Sequence, residues 1–438
     1  MRRLLSAAGA AVAVAACVAG LLALGPDDST PGGAPRAGAA ASGGGDLPAA
    51  GAVRAARDAT ERHPDDPTSW SRLGTAQIEA ARTTLDAGRL EAAGKALHRS
   101  LDLRPEENYA AVIGLGQLAN AKHDFTEGRT QGLRSTRMAP DRPDGYAVLA
   151  DAEIQLGHYP AARTAVQRLL DLAPGSAAYS RAAYDLETHG RERDAAIALD
   201  RALESASTPD ESAFAESRSG ELAWSSGDIP RAEGHFRRAL GLVPDHPYAT
   251  SGLARVRAAQ GRTEEALKLY DRLVERTPVP QFLVESLELR LAAAESKGEG
   301  KRDPGIAAAR AALDAQLRMA QAAGGPVDPH LALYAADHAD PAVAVKLLSH
   351  EAEQSRSVIV DDALGWALHR AGQDRKALTH AREAARTGWD NPLFQYHRGA
   401  IEAALDNPDA ATHLRAALDR NPHFSAHHAP RAAALLAR

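Results

Sequence analysis

Apolar residues recur along this chain at spacings of three and four, in short runs separated by glycine and proline. The clearest run is 143–174, where Tyr146 and Leu149 share one helical face and Gly157 interrupts. Ala162, Val166 and Leu169 then resume the pattern. Such spacing predicts two helices, each with one apolar stripe, folded back on each other at the glycine. Gly157 accepts the left-handed backbone that ends a helix and reverses the chain. Ala162 is small enough for the pair to approach closely. Pro174 lacks a backbone donor and is expected to stop the second helix.

The same phrase recurs. Pro64, Pro105, Pro140, Pro174, Pro209, Pro244 and Pro278 follow one another at intervals of 34, 35 or, once, 41 residues. A repeat of this length is the sequence mark of a solenoid. The copy at 66–105 carries Trp70, Leu73, Gly74, Gly88, Ala93 and Leu97, with a lengthened first helix. The next keeps Leu115 and Gly116 but puts His123 and Gly128 where Gly and Ala are expected. Residues 247–278 bear Leu253, Gly261, Ala266 and Tyr270, and 228–244 bear Ala232, Phe236 and Ala239 after Gly227. A late copy at 358–388 has Leu364, Gly365, Gly372, Ala377 and Ala384. The copy around Gly190 is weaker.

Two regions depart. Residues 281–328 lose the period and read as a degenerate repeat or a hinge, with the charged link GEGKRDP in the middle. In 391–422, Leu405-Asp406-Asn407-Pro408 replaces the glycine turn. The expected organisation is a block of repeats at 48–280, the irregular 281–328, and repeats with a capping helix at 329–438. A solenoid end needs such a cap, because its last hairpin has no neighbour to cover it.

These residues resemble the tetratricopeptide repeat, a 34-residue helix–turn–helix family. The resemblance implies an all-α, right-handed superhelical solenoid whose first helices line a concave groove for a protein or peptide partner. Carried over residue by residue, it turns Gln117, Asn120, Asp144, Asp151, Gln155, Glu221, Trp224, Tyr248, Arg255, Asp362, Trp366 and His369 inward. Trp224 and Trp366 are either binding anchors or core. The family's carboxylate clamp has no counterpart: its positions hold Ser71, Thr75 and Ile113.

Ahead of the repeats, Arg2 and Arg3 precede an uncharged apolar run from Leu4 to Leu24. As a helix that run is about 30 Å long, one bilayer core. Residues 1–24 are therefore read as a signal peptide or a transmembrane anchor. Val14-Ala15-Ala16-Cys17 also resembles a lipobox, which would make Cys17 the acylated residue, although Val18 to Leu24 stays apolar. Each fate attaches or exports the body, with the cationic flank inside. Residues 25–47, rich in Gly, Pro, Ser and Ala, read as a disordered linker.

Composition adds mainly exclusions. A net charge of −6 gives no basic field for nucleic acid. Cys17 is the only cysteine, so the body has neither disulfides nor thiolate chemistry. Gly88 to Lys95 has one residue too many between its glycines for a phosphate loop, and Ala96 stands where the hydroxyl belongs. No HExxH or GxSxG pattern occurs. His423, His427 and His428 lack an accompanying cysteine or a helical ligand spacing and read as surface histidines. Acidic pairs such as Asp65-Asp66 and Asp361-Asp362 suit helix capping. No enzyme, cofactor or metal is implied. The expected function is a non-enzymatic envelope scaffold, with an extracytoplasmic small-ligand sensor as the second reading.

Overall fold

The computed structural model describes residues 48–84, 86–296 and 303–437. The apolar N-terminal run, Cys17, the linker and most of the GEGKRDP link lie outside the described residues. Within them are 22 helices and no strand. None of these helices is long and apolar enough to cross a membrane.

At the N-terminal end α1 (Pro48–Arg62) stands unpaired against α2 (Pro67–Thr84), which pairs with α3 (Ala87–Leu103). Antiparallel hairpins follow: α4 (Tyr109–Ala121) with α5 (Phe125–Met138), α6 (Pro143–Gln155) with α7 (Tyr159–Leu172), and α8 (Ser176–Thr188) with α9 (Glu192–Glu204). Next come α10 (Pro209–Ser225) with α11 (Ile229–Leu242) and α12 (Pro247–Ala259) with α13 (Thr263–Arg276). The irregular stretch folds as α14 (Pro280–Ser296) and the long α15 (Pro304–Ala323). Then α16 (Pro329–His338) pairs with α17 (Pro341–Gln354), α18 (Val358–Arg370) with α19 (Asp374–Ala384), and α20 (Pro392–Ala404) with α21 (Ala410–Arg420). Last comes α22 (His428–Leu436).

Local sequence explains where these helices start. Asp86, Asp124, Asp228 and Asp303 each accept a backbone N–H from the first turn that follows. Thr208 and Glu211 complete a reciprocal capping box. One expectation is corrected here: Pro209 opens α10, as Pro143 opens α6, instead of stopping the helix before it. A first-turn proline sacrifices a donor that the helix leaves unused anyway. At two turns without glycine, His123 and Asp406 themselves take positive φ, 64° and 51°.

The two helices of a hairpin are buried differently. In α18 ten residues are buried, around every face, whereas α19 buries only Ala377, Ala381 and Ala384. First helices are therefore packed between layers, and second helices cover them with one stripe. Gly220 and Gly252 let α10 and α12 close on the ring of Phe236, where a Cβ would collide.

The array then returns onto itself. Ser355 Oγ donates to the Gln155 carbonyl at 2.7 Å, across 200 residues, and Arg356 N donates to the Leu156 carbonyl at 3.0 Å. Val358 N donates to the Tyr159 hydroxyl at 2.9 Å, and Asn421 Nδ2 to the Trp224 carbonyl at 2.7 Å. Arg420 bridges Glu192 and Asp390. Apart from Arg420–Asp390, each contact joins the turn region of one hairpin to the end of a much later second helix or the link that follows it. Gly157, Gly190 and Gly227, with φ of 76°, 68° and 77°, press against the backbone of Arg356, Gly388 and Arg420.

Candidate functional site

A cavity of about 660 Å³ lies where this return brings the C-terminal segment over the first helices. One wall is Trp224, Arg255 and Tyr270; another is Gln281, Glu285 and Glu288 of α14 with His330 and Asp337 of α16. Phe424, Ser425 and His428 cover it.

At one end, the Arg255 guanidinium carbon sits 5.3 Å from the Trp224 ring and the side chain pairs with Glu221. Burial opposes the Arg255 charge, but Glu221 and Glu285 outweigh it and keep the guanidinium protonated. Glu285 accepts from Ser251, from the Tyr270 hydroxyl at 3.1 Å and from Gln281 Nε2 at 3.0 Å. Burial, and then Glu285, hold the Tyr270 phenol far above its ordinary value, so it stays a donor.

Histidines dominate the other end. His338 Nε2 lies 3.4 Å from Glu288 Oε1, and His428 Nε2 lies 3.4 Å from Asp337 Oδ2. Asp337 also accepts from Trp366 Nε1 at 3.0 Å and pairs with Arg370 at 3.1 Å. Burial works against both carboxylates, yet the imidazoles around them bring both below the usual range. Burial and the neighbouring His428 push His427 down to about 4. His428 is only 6% exposed, which corrects its reading as a surface histidine; His427 is half-buried and His423 is exposed.

Of the twelve inward candidates, Trp224 and Arg255 line the cavity. Trp224 is 6% exposed and Trp366 is 3% exposed, so both indoles are packed. Trp366 stacks on His397 at 4.3 Å and meets Tyr396, His369 and His428. Glu221 is held by Arg255, and Tyr248 packs edge-on to Phe282. Asp144 accepts from the Tyr109 hydroxyl at 3.3 Å, and His369 holds Asp374 at 2.6 Å. Gln117 is buried in α4, and Gln155 is half-buried, with its carbonyl taken by Ser355.

Three candidates are consumed inside the array. Asn120 is fully buried and donates to the Val148 carbonyl at 3.0 Å, in space that Gly128 leaves free. Asp151 is held by both Nε and Nη2 of buried Arg181, at 2.9 and 2.8 Å. Asp362 bonds to buried His397 at 2.9 Å. The period missed Glu285, Glu288, Asp337 and the covering segment, all outside its register. One signal was available: Glu285 and Glu288 lie three apart among the largely apolar residues 282–291 of α14, on one side of the helix.

A family model described as tetratricopeptide repeat matches residues 78–143, 148–215 and 218–279. Residues 78–279 of the chain carry tetratricopeptide repeats. The chain is 24% identical over 179 residues to cellulose synthase operon protein C of Pseudomonas fluorescens (strain SBW25). The match covers 39% of this chain and 14% of that protein, so it spans only a small part of the relative. Among solved structures, a human IFIT1 dimer with m7Gppp-AAAA is 16% identical with a TM-score of 0.49, over 77% of each chain. The Cut9–Hcn1 hetero-tetramer of the APC/C is 15% identical with a TM-score of 0.43, over 89% of this chain and 83% of that one. PilW, a type IV pilus biogenesis factor, is 18% identical with a TM-score of 0.40, over 50% and 100%. A tetratricopeptide-repeat fold suggests a protein–protein interaction scaffold.

Proposed function

We propose that this chain is a non-enzymatic scaffold of the cell envelope that holds a segment of a partner protein in the cavity beneath residues 422–433. The cavity carries the reading. Its volume of about 660 Å³ falls inside the range of built ligand sites, roughly 300–1,000 Å³. Its lining pairs aromatic surface (Trp224, Tyr270, Phe424) with a few fixed polar groups, the mixture that anchors a side chain and orients a backbone. The apolar, cation-flanked run at residues 1–24 and the likeness to a cellulose synthase operon protein support the envelope setting.

The test is photo-crosslinking from membranes with the full chain, comparing wild type with Ala292→Phe. Ala292 is a half-buried lining residue, so a ring there fills the cavity without removing a packed side chain. A retained protein whose yield falls at least about tenfold in Ala292→Phe supports the reading, that factor being about 1.4 kcal/mol of binding. Equal yields would overturn it. The cavity volume also suits a small-ligand sensor; saturable metabolite binding, blocked by the same variant with no retained protein, favours that second reading. Intact mass of the recovered chain reports the state of Cys17.

A further inference from the structure

We propose that Glu288, His338 and His427 form a binding site for one divalent ion of the zinc class, with its fourth position open to the cavity. The three side chains come from α14, the end of α16 and the residue that caps α22, and their ligand atoms all lie within 4.8 Å of one another. An imidazole–imidazole–carboxylate set is one that zinc takes when it keeps a position free.

The spacing within the cluster suits an ion. Ligands about 2.0–2.2 Å from a tetrahedral ion lie roughly 3.3–3.5 Å from each other. His338 and Glu288 stand 3.4 Å apart. Several histidine–carboxylate pairs close tighter, such as His158–Glu153 at 2.6 Å, His235–Glu216 at 2.7 Å, His413–Glu402 at 2.7 Å and His397–Asp362 at 2.9 Å, whereas His189–Asp185 and His428–Asp337 also stand at 3.4 Å. The loosest, His350–Glu353 at 3.7 Å, lies on the surface. The His338–Glu288 pair is packed, with His338 5% and Glu288 13% exposed at the side chain, and stands at the long end of the hydrogen-bond range, with room for an ion between the two groups.

A further histidine–carboxylate pair stands beside the three. His427 also forms a three-membered group with Asp337 and His428. Asp337 is committed to Trp366 and Arg370, so it orients His428 and is no candidate for the ion itself. Buried His428 Nδ1 has no hydrogen-bond partner, an uncompensated polar atom beside the group. Of the three ligands Glu288 lines the cavity, with Asp337 and His428 beside it, and the proposal places the open position on that side. An ion here would tie the C-terminal helix to two earlier hairpins, and it requires no occupant of the cavity.

The experiment uses the untagged full chain, stripped with a chelator and titrated with zinc chloride by calorimetry. Cobalt(II) is added in parallel for its visible tetrahedral absorption. Wild type is expected to take up one zinc per chain with a dissociation constant below about 10 μM, some 7 kcal/mol, and to ignore magnesium. His427→Ala and His338→Ala should weaken binding at least tenfold, while the adjacent exposed His423→Ala should not. Glu288→Gln keeps the size and polarity of the side chain. It serves if an alanine variant unfolds, and it should also weaken zinc and shift the cobalt bands. No saturable zinc uptake by wild type, or wild-type affinity retained in both Glu288→Gln and His427→Ala, would overturn the site. So would a His423→Ala loss as large as theirs.

Discussion

At the scale of single residues, several positions that look available for a ligand are spent on the fold. Asp151 and Asn120 carry polar groups on first helices, yet each is matched to one partner inside the array. A buried polar group without a partner costs free energy, so selection for packing produces the same polar pattern as selection for binding. His246 is another such case. It caps α12, its Nδ1 accepting from Ala249 N at 3.3 Å, and burial, then Arg82, lower it to about 4. Only the neutral ring can accept that bond. The folded value lies below the ordinary 6.5, so as pH falls through 6.5 the unfolded chain takes the proton first. The contribution is complete above that pH and is lost progressively down to about 4. Because the residue is partly exposed, its size should be on the order of 1 kcal/mol. His246→Asn, which caps without titrating, should flatten that part of the pH dependence in urea unfolding at pH 7.5 and 5. An unchanged slope would remove His246 from the account.

At the scale of the element, the hairpin turn does two jobs. Gly157 and Gly261 take nearly the same left-handed conformation, φ 76° and 75°. Around Gly261 a Cβ would meet nothing; at Gly157 it would strike the backbone of Arg356. Gly261→Ala should therefore cost only the conformational penalty, about 1–2 kcal/mol. Gly157→Ala pays the same and must also push two parts of the array apart, adding at least about 1–3 kcal/mol of overpacking. Chemical denaturation of the two variants isolates the difference. Equal losses would mean that the contact at Arg356 contributes nothing. The helices and turns themselves were legible because their determinants sit within a few residues: apolar spacing, turn glycines and the prolines between hairpins, although Pro209 proved to open a helix. The second job of Gly157 was not, since its partner is 199 residues away in the chain, as for the neighbouring bond from Val358 to Tyr159.

At the scale of the whole molecule, the returning contacts alter what kind of solenoid this is. A linear array is stabilised by nearest neighbours alone and can open from its ends. Here the turns after α6, α8 and α10 are covered by links from the last third of the chain. Amides at 156–159 and 225–228 should then exchange as slowly as neighbouring helical amides. In a chain ending at residue 354, both turns should exchange at least about tenfold faster, while the uncovered turn at Gly261 changes little. Hydrogen exchange read by mass spectrometry checks this, and unaltered rates at 156–159 would show that the returning contacts are not closed in solution.

What the chain determined by itself was its unit: a helical hairpin of fixed length, its turn, its caps and its repetition, because each depends on neighbours a few residues away. It also marked 281–328 as irregular without saying what the irregularity builds. Tertiary structure decided the rest. The small rotation between successive hairpins accumulates, and after about 200 residues it sets whether an edge meets open solvent or an earlier edge. That accumulated rotation brings residues 422–430 over Trp224 and Arg255, and it gathers Glu288, His338 and His427 from three separate elements. No local spacing records such a sum, which is why the two histidines at 427 and 428 looked like surface.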